Sequence, residues 1–241
     1  MIFKKIVLIA SLIPCISSAA VSLDRTRIIY NADQPAVSLR IFNSSQNYPF
    51  LAQAWMEDDK NEKIESPFFV TPPIQRINTK QQSQIKIQNV APEMLPQDRE
   101  SVYYFNFKQI PPRSEKANVL QLTVQTKMKL FYRPKGLYVE GTTISDNPWQ
   151  EKLILKYQNN SVFAYNSTPY YTTISNIAMS KDGSPIKDIE AFMVPPFSSV
   201  DLKVSKEKLG KAPYLTYIND YGGKKTMNFI CNQFQCELNK Q

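Results

Sequence analysis

Histidine is absent from the 241 residues of this chain, and glycine is scarce, with only six residues. Without an imidazole there is no Ser-His-Asp or Cys-His catalytic arrangement, no histidine zinc site and no histidine general base. The glycines are too widely spaced to form a GxGxxG or GxxxxGKS/T loop, which excludes the usual phosphate-binding turns for nucleotides. The sequence therefore predicts neither an enzyme of these classes nor a cofactor.

Basic residues outnumber acidic ones, with 29 Lys and Arg against 21 Asp and Glu, a formal charge of +8. The basic residues are scattered, and they form no patch interleaved with aromatic side chains of the kind that binds nucleic acid. Nucleic acid is therefore not an expected partner. The remaining composition, 42% hydrophobic and 21% charged, is typical of a globular protein.

Residues 1–19 have the pattern of a secretory signal peptide. Two lysines precede an apolar run at 6–13, and Ser17 and Ala19 occupy the −3 and −1 positions of a cleavage site before Ala20. The apolar run is much shorter than the roughly 20 residues that a spanning helix needs. No other stretch is long and apolar enough, so the sequence predicts export and no membrane span.

Cysteine is also scarce, with three residues in the chain. Cys15 would leave with the signal peptide, so Cys231 and Cys236 would remain as an even pair in an exported protein. Such a pair predicts one local disulfide. The alternative is half of a zinc site, but neither a second cysteine pair nor a histidine is present to complete it.

Strand-like patterns recur along the chain, whereas segments with a helical period are hard to find. Apolar and polar residues alternate at 37–41, 85–87 and 120–124, and residues 102–110 are rich in aromatic side chains. Turn-forming residues separate such segments at intervals of about 10–15 residues, which favours β-sandwiches over an α/β fold.

A stretch of turn-forming residues at 134–148, with Gly136 and Gly141, is typical of a connection between two sandwiches. Each half of the chain then has the usual size of an immunoglobulin-like domain. The sequence therefore predicts a signal peptide at 1–19, an N-terminal immunoglobulin-like domain at 20–139 and a C-terminal immunoglobulin-like domain at 140–241.

The strand predicted at 119–132 is far longer than the usual strand of about 5–6 residues. Its sequence contains no glycine or proline, and its charges, Lys127 and Lys129, come only near its end. Alternation is the ordinary signature of a central, half-buried strand. The other interpretation is an edge strand left open to receive a strand from a partner.

Several segments together resemble the periplasmic pilus-chaperone family in order and spacing. The segments are AVSLDRTRIIY (20–30), TPPIQRI (71–77), LPQDRES (95–101), IPPRSEKANVLQL (110–122), KMKLFYRP (127–134) and YINDYGG (217–223). The resemblance implies two immunoglobulin-like β-sandwich domains set at an angle, with a cleft between them. It also implies a non-enzymatic periplasmic protein whose partners are pilus subunits and an outer-membrane usher. An exposed edge strand would in addition favour self-association of the free protein, a question that the sequence leaves open.

In this family the chaperone lends its long edge strand to a subunit that lacks its last strand, a form of β-augmentation. The resemblance places the subunit contacts at Leu120, Leu122 and Val124 of the long strand. Side chains two residues apart share one face of a strand. Burying each of the three would be worth about 1.5–3 kcal/mol.

The resemblance implies a second site, a pair of cations that grips the C-terminal carboxylate of the subunit. Arg27 in TRIIY and Lys129 in KMKLFYRP match the arginine and the lysine of that pair. A guanidinium fork suits the two oxygens of a carboxylate, and an ammonium can approach the same group from another side. Strict alternation places Lys129 on the opposite face of the strand from Leu122.

A third set of residues matches charges that link the two domains in the family. Glu100 in DRES, Arg133 in FYRP and Asp220 in YINDYGG occupy the matching positions. An arginine shared by two carboxylates across the domain interface would fix the angle of the cleft. Three unrelated surface charges are the alternative, since exposed ion pairs contribute only about 0–1 kcal/mol.

Two other functions are weaker interpretations of the same sequence. A secreted structural or adhesive pilus component would carry an N-terminal donor extension and an aromatic C-terminal strand, and this chain ends in the polar segment CELNKQ. A secreted hydrolase with paired carboxylates could use Asp58 and Asp59. Adjacent residues of a strand or turn point apart, however, and DDKNEK is typical of a solvated turn.

Overall fold

The structure is a computed structural model that describes residues 21–114, 118–141 and 146–239. The predicted signal peptide at 1–19 lies outside the described residues. Within the described part of the chain, no helix is long and apolar enough to cross a membrane.

Ten strands form the described part of the first domain, and their alternating side chains divide between a core and a surface. In the third strand, for example, Val37, Leu39 and Ile41 are buried and the residues between them are exposed. The strands are β1 (Val21–Leu23), β2 (Ile28–Asn31), β3 (Ala36–Asn43), β4 (Phe50–Glu57), β5 (Lys63–Ile64), β6 (Phe68–Thr71), β7 (Ile74–Ile77), β8 (Gln82–Asn89), β9 (Ser101–Ile110) and β10 (Val124–Arg133).

These strands form two sheets, in the orders β1-β3-β8-β6 and β2-β10-β9-β4-β5, and β7 also pairs with β4. Both sheets contribute apolar side chains to one buried core. Tyr30, Phe68 and Tyr132 are among its largest members, and the rings of Tyr30 and Phe68 meet edge to face at 5.3 Å between centroids. Edge-to-face contacts of this kind add to the apolar burial that holds the sandwich together.

Among the described residues of the second domain, eight strands surround a separate core. Leu155, Val162, Ile174 and Phe229 are fully buried in that core. The strands are β11 (Ile154–Gln158), β12 (Ser161–Asn166), β13 (Thr172–Ala178), β14 (Phe192–Val194), β15 (Ser198–Asp201), β16 (Tyr214–Ile218), β17 (Lys224–Cys231) and β18 (Gln235–Leu238), paired in the order β14-β13-β16-β17-β18-β11-β12-β15.

Helical structure among the described residues is confined to short turns. There is a four-residue α-helix, α1 (Lys206–Leu209), and there are 3₁₀ helices at Pro92–Met94, Lys135–Leu137 and Trp149–Lys152. The predicted all-β fold with two immunoglobulin-like sandwiches is confirmed. Two separate cores, one on each side of the segment that joins the sandwiches, account for the two domains.

The long strand predicted at 119–132 is shorter in the structure, because β10 begins at Val124. Val124 lies opposite Gln109, next to the end of β9 at Ile110. Two prolines, Pro111 and Pro112, follow that end and have no N–H to donate to a neighbouring strand. Residues 119–123 therefore have the strand-like sequence but no strand of their own domain to pair with.

The two remaining cysteines form the predicted disulfide, with 2.00 Å between the sulfur atoms of Cys231 and Cys236. The bond joins the neighbouring strands β17 and β18, in which Cys231 and Cys236 lie directly opposite each other. Tyr157 and the Cys236 sulfur are in hydrogen-bond contact at 3.0 Å. The bond therefore closes a hairpin of the second domain, away from the residues that the resemblance assigns to binding.

Candidate functional site

The edge of β10 is open along half of the strand. β9 pairs with it from Val124 to Tyr132, whereas β2 pairs with it in parallel only from Leu130 to Arg133. On the β2 side, residues 124–129 have no strand partner within the described residues. Both interpretations of the long strand are therefore partly right, since its C-terminal part is central and its N-terminal part is an edge.

The apolar side chains at this open edge are exposed. The exposed fractions are 83% for Leu120, 71% for Leu122 and 47% for Val124, and Val119 beside them is also exposed. Leucine and valine are normally buried in folded proteins. A row of them next to unpaired backbone groups is the form of surface that a partner strand can cover.

The opposite faces of β10 have different surroundings. Met128, Leu130 and Tyr132 point into the core of the first domain and are buried. Lys129 and Phe131 lie on the other face, which looks towards the second domain, where the Phe131 ring packs 5.7 Å from that of Tyr171. The position of Lys129 opposite the apolar row thus follows from simple alternation, without a bulge.

Arg27 and Lys129 lie next to each other across the β2–β10 pair. Leu130 lies opposite Ile28 in the strand register, so the residues that precede them, Lys129 and Arg27, are also neighbours. Both are half-buried. Burial lowers the pKa of both side chains, and the positive charge of Arg27 lowers the pKa of Lys129 further. Two like charges held together partly out of water favour the approach of an anion.

Neither cation of this pair is neutralised by an ion pair within the described residues. Arg27 donates from Nη1 to the carbonyl oxygen of Ile218 at 3.2 Å, and its guanidinium lies over the Phe131 ring at 5.8 Å. Its buried Nε has no hydrogen-bond partner among the described residues. The pair therefore retains N–H groups that could donate hydrogen bonds to a carboxylate.

The structure also brings together Glu100, Arg133 and Asp220. Arg133 donates from Nε and Nη2 to Glu100 Oε1, at 2.8 and 2.6 Å, and from Nη1 to Asp220 Oδ2 at 2.9 Å. Arg133 and Glu100 are almost completely buried, so this cluster is not a set of exposed surface pairs. Glu100 and Arg133 come from the first domain and Asp220 from the second, so the cluster joins the two.

Burial raises the pKa of Glu100 to about 7, although Arg133 lowers it. Glu100 Oε2 also accepts a hydrogen bond from the Tyr171 backbone N–H at 2.8 Å, and the Glu100 N–H donates to the Pro169 carbonyl oxygen at 2.9 Å. A buried carboxyl group is destabilised unless such partners are present. Glu100 is therefore bonded to the second domain through its backbone as well as its side chain.

Two aromatic residues of the second domain complete this cluster, and the sequence did not single them out. The rings of Trp149 and Tyr170 stack at 4.6 Å, and the Arg133 guanidinium lies 5.1 and 5.2 Å from their centroids. Cation–π contacts of this kind are stronger when desolvated. The signal that could have indicated them was modest: one of two tryptophans in the chain, directly after the predicted connection between the domains.

Two β-sandwiches, an open apolar edge strand and a pair of half-buried cations beside the second domain define a class of protein. These features suit a protein that adds its own strand to a partner. Within the described residues, no group of three or more His, Cys, Asp or Glu side chains is arranged to hold a metal.

Residues 20–138 match the family described as pili and flagellar-assembly chaperone, PapD N-terminal domain. Residues 148–229 match the family described as pili assembly chaperone PapD, C-terminal domain. The chain therefore belongs to the PapD family of pilus-assembly chaperones. Membership of this family implies a non-enzymatic role and favours a chaperone over a structural or adhesive pilus component.

Similar proteins match all or most of the chain. This chain is 42% identical over 246 residues to the chaperone protein PapD of Escherichia coli, and the match covers 100% of both chains. It is 40% identical over 225 residues to the probable fimbrial chaperone YfcS of Escherichia coli K12, covering 92% of this chain and 87% of YfcS.

Solved structures of similar proteins share the fold. The periplasmic chaperone SfaE is 28% identical, with a TM-score of 0.68 over 86% of this chain and 98% of the other. A chain in the structure of the Salmonella enterica SafA pilin in complex with the SafB chaperone is 27% identical. Its TM-score is 0.73 over 89% of this chain and 98% of the other.

Proposed function

We propose that this protein is a periplasmic chaperone that binds, folds and caps pilus subunits by donor-strand complementation and delivers them to an outer-membrane usher. The observation that carries the proposal is the open edge of β10 with its exposed apolar row. The related complex of a pilin with a chaperone supports the choice of partner.

The donor segment is proposed to run from residue 119 into β10. Its backbone can form a ladder with an incomplete subunit, because residues 124–129 have a free edge and residues 119–123 have no strand partner in this domain. Leu120, Leu122 and Val124 would then enter the core of the subunit. Backbone hydrogen bonds require no particular subunit sequence, which suits a chaperone that serves several subunits.

Arg27 and Lys129 are proposed to bind the terminal carboxylate of the subunit. Two adjacent cations that are half-buried and lack an ion-pair partner within the described residues are best satisfied by one anion. A terminal carboxylate is an anion that belongs to the same chain as the paired strand. Fixing the chain end would also fix the register of the ladder, which alternation alone leaves free to slip by two residues.

The location and the delivery step also belong to this proposal. Residues 1–19 are proposed to be a signal peptide that directs export to the periplasm. The disulfide between Cys231 and Cys236 supports this, because structural disulfides form in oxidising compartments. Delivery to an usher is proposed from family membership.

Co-purification of subunits tests the proposal directly. Tagged protein would be recovered from the periplasm of piliated cells, and bound subunits would be identified by mass spectrometry. We expect Arg27→Ala and Lys129→Ala to recover at least about tenfold less subunit than the wild type, because charge-assisted hydrogen bonds are among the strong ones.

Arg25→Ala is the matched control, since Arg25 is exposed and already paired with Asp24 at 3.0 Å. It should recover subunits as the wild type does. Folded Arg27→Ala and Lys129→Ala proteins with normal recovery would contradict the anchor. Recovery of no subunit by the wild type would contradict the chaperone function itself.

A further inference from the structure

A tight turn of the second domain lies against the first domain beside Arg27. It joins β16 to β17 and comprises residues 219–223. Three contacts start from it or from the residue before it: the Ile218 carbonyl oxygen accepts from Arg27, Asp220 accepts from Arg133, and Gly222 approaches Thr26. Arg27 is therefore in contact with both domains.

The turn is held in one shape by its own hydrogen bonds. The side-chain Oδ1 of Asn219 accepts from the backbone N–H groups of Tyr221 and Gly223, at 3.1 and 2.8 Å. The Asn219 N–H donates to the Gly223 carbonyl oxygen at 2.9 Å, and the Gly222 N–H donates to the Asn219 carbonyl oxygen at 3.0 Å. Asparagine side chains commonly bond the backbone two residues on in this way. The turn is consequently a preformed surface.

Glycine at 222 is required for the turn to lie this close to the first domain. Its φ is 83°, a conformation that favours glycine. A methyl group on its Cα would overlap Thr26 Oγ1, whereas it would lie 3.7 Å from Thr26 Cβ, an ordinary contact distance. Thr26 precedes Arg27 directly, so a displaced turn would move the backbone that carries the cation.

We propose that the 219–223 turn positions Arg27 for the carboxylate of the subunit, with Gly222 allowing the contact and the Ile218 carbonyl oxygen orienting the guanidinium. This inference rests on the proposed function, in which Arg27 binds that carboxylate. Gly222 and Ile218 are positioning residues, since neither touches the carboxylate itself.

The chemistry of the guanidinium explains how one carbonyl can act in this way. A guanidinium is a rigid plane with five N–H donors. Because one Nη1 hydrogen bond is fixed by Ile218, the orientation of the plane is restricted and the other donors remain available. Burial lowers the pKa of Arg27, and the negative charge of Asp220 acts in the opposite direction.

Two forms of one peptide would test the inference. The peptide would have the C-terminal strand sequence of a subunit recovered with the wild-type protein, made once with a free carboxylate and once with a terminal amide. We expect the wild type to bind the acid about 10–100-fold more tightly than the amide, because the amide lacks the negative charge that pairs with the two cations. Gly222→Ala should reduce that ratio to below about threefold while leaving the affinity for the amide nearly unchanged.

Two further variants separate positioning from backbone strain. Gly210→Ala is the matched control, because Gly210 also has a positive φ, of 79°, and its added methyl would meet only Met179 at 3.4 Å. It should keep the wild-type ratio. Thr26→Ala combined with Gly222→Ala should restore the ratio, because the overlapping hydroxyl is removed.

The outcomes distinguish this inference from the proposed function. A wild-type protein that binds acid and amide equally would overturn the carboxylate anchor itself. A Gly222→Ala protein that keeps the wild-type ratio would overturn only the positioning role of the turn. Equal weakening of both peptides by Gly222→Ala would also overturn it, since the glycine would then serve only the general arrangement of the domains.

Discussion

Arg27 and Lys129 lie side by side on the face of the β2–β10 pair that is turned towards the second domain, although burial disfavours the charged form of each. Burial lowers the pKa of both, and Arg27 lowers that of Lys129 further. A base whose pKa is lower in the folded state makes folding less favourable as the pH falls from its unfolded-state pKa to its folded-state pKa, and the loss is complete below the latter. Placing the positive charge of Lys129 in this position therefore opposes folding. Such a cost is typical of functional sites.

Replacing Lys129 should separate stability from binding. We expect Lys129→Met to increase the free energy of unfolding by about 0.5–2 kcal/mol, the gain typical when an unfavourable functional group is removed. The same variant should lose subunits in co-purification. Chemical denaturation followed by circular dichroism measures the first effect.

Lys127→Met is the control, because Lys127 is paired with Glu57 at 2.6 Å and lies over the Tyr104 ring at 4.6 Å. It should leave the stability unchanged or lower it. A Lys129→Met protein less stable than the wild type would show that the lysine supports the fold.

Residue chemistry was predictable from the sequence only where a side chain carries the role. Arg27, Lys129 and Asp220 were named because the segments around them resemble a known family. The Ile218 carbonyl oxygen was not, since a backbone atom has no signature in the sequence. Trp149 was also missed, because its partner Tyr170 is distant along the chain and only the fold brings the rings together.

At the scale of a single element, β10 shows why pattern alone overestimates a strand. The alternation at 120–124 predicts a strand, but residues 120–123 form none in the structure, because a strand needs a partner for its backbone groups. β9 ends at Ile110, and the prolines after it cannot extend the ladder. Residues 119–123 remain as a segment with a strand-like sequence and no partner strand in their own domain. No local sequence pattern could distinguish this segment from a complete strand.

A charge in this segment tests its role as a donor. We expect Leu122→Glu to lower subunit recovery by at least about tenfold, because an unpaired carboxylate would have to enter the apolar core of the subunit. The exposed fraction of Leu122 is 71%, so the fold of the free protein should not change. Co-purification with a thermal unfolding measurement checks both expectations.

Thr123→Glu is the matched control for this variant. Thr123 is a neighbouring exposed residue of opposite parity, so its side chain would not enter the subunit. It should retain most of the binding. Equal recovery by Leu122→Glu and the wild type would rule out this residue as a donor contact.

For the whole molecule, the number of domains followed from chain length and turn spacing, but their relative placement did not. The placement depends on the buried contacts around Arg133, which include Glu100 and Asp220 and the aromatic pair Trp149 and Tyr170. From the sequence, the three charged residues could equally have been exposed. Buried and exposed ion pairs differ in energy, and only the folded chain shows which of the two this cluster is.

Removing Arg133, which Glu100 and Asp220 share, should therefore lower the stability of the fold strongly. We expect Arg133→Met to lower the free energy of unfolding by about 3–5 kcal/mol, because the buried carboxylate of Glu100 loses its cation. Arg99→Met is the control, since Arg99 and its partner Asp98 are exposed, and it should change the stability far less. A similar, small effect of both substitutions in denaturant unfolding would contradict a structural role for the cluster.

The unsatisfied cation pair in the cleft has a consequence for timing. A terminal carboxylate exists only once synthesis of a chain is finished, and it enters the compartment proposed here only after the rest of the chain has crossed the inner membrane. If the two cations bind that group as proposed, the protein would not capture nascent or half-exported polypeptides. The proposed anchor would thereby make completion of the client a condition of its capture.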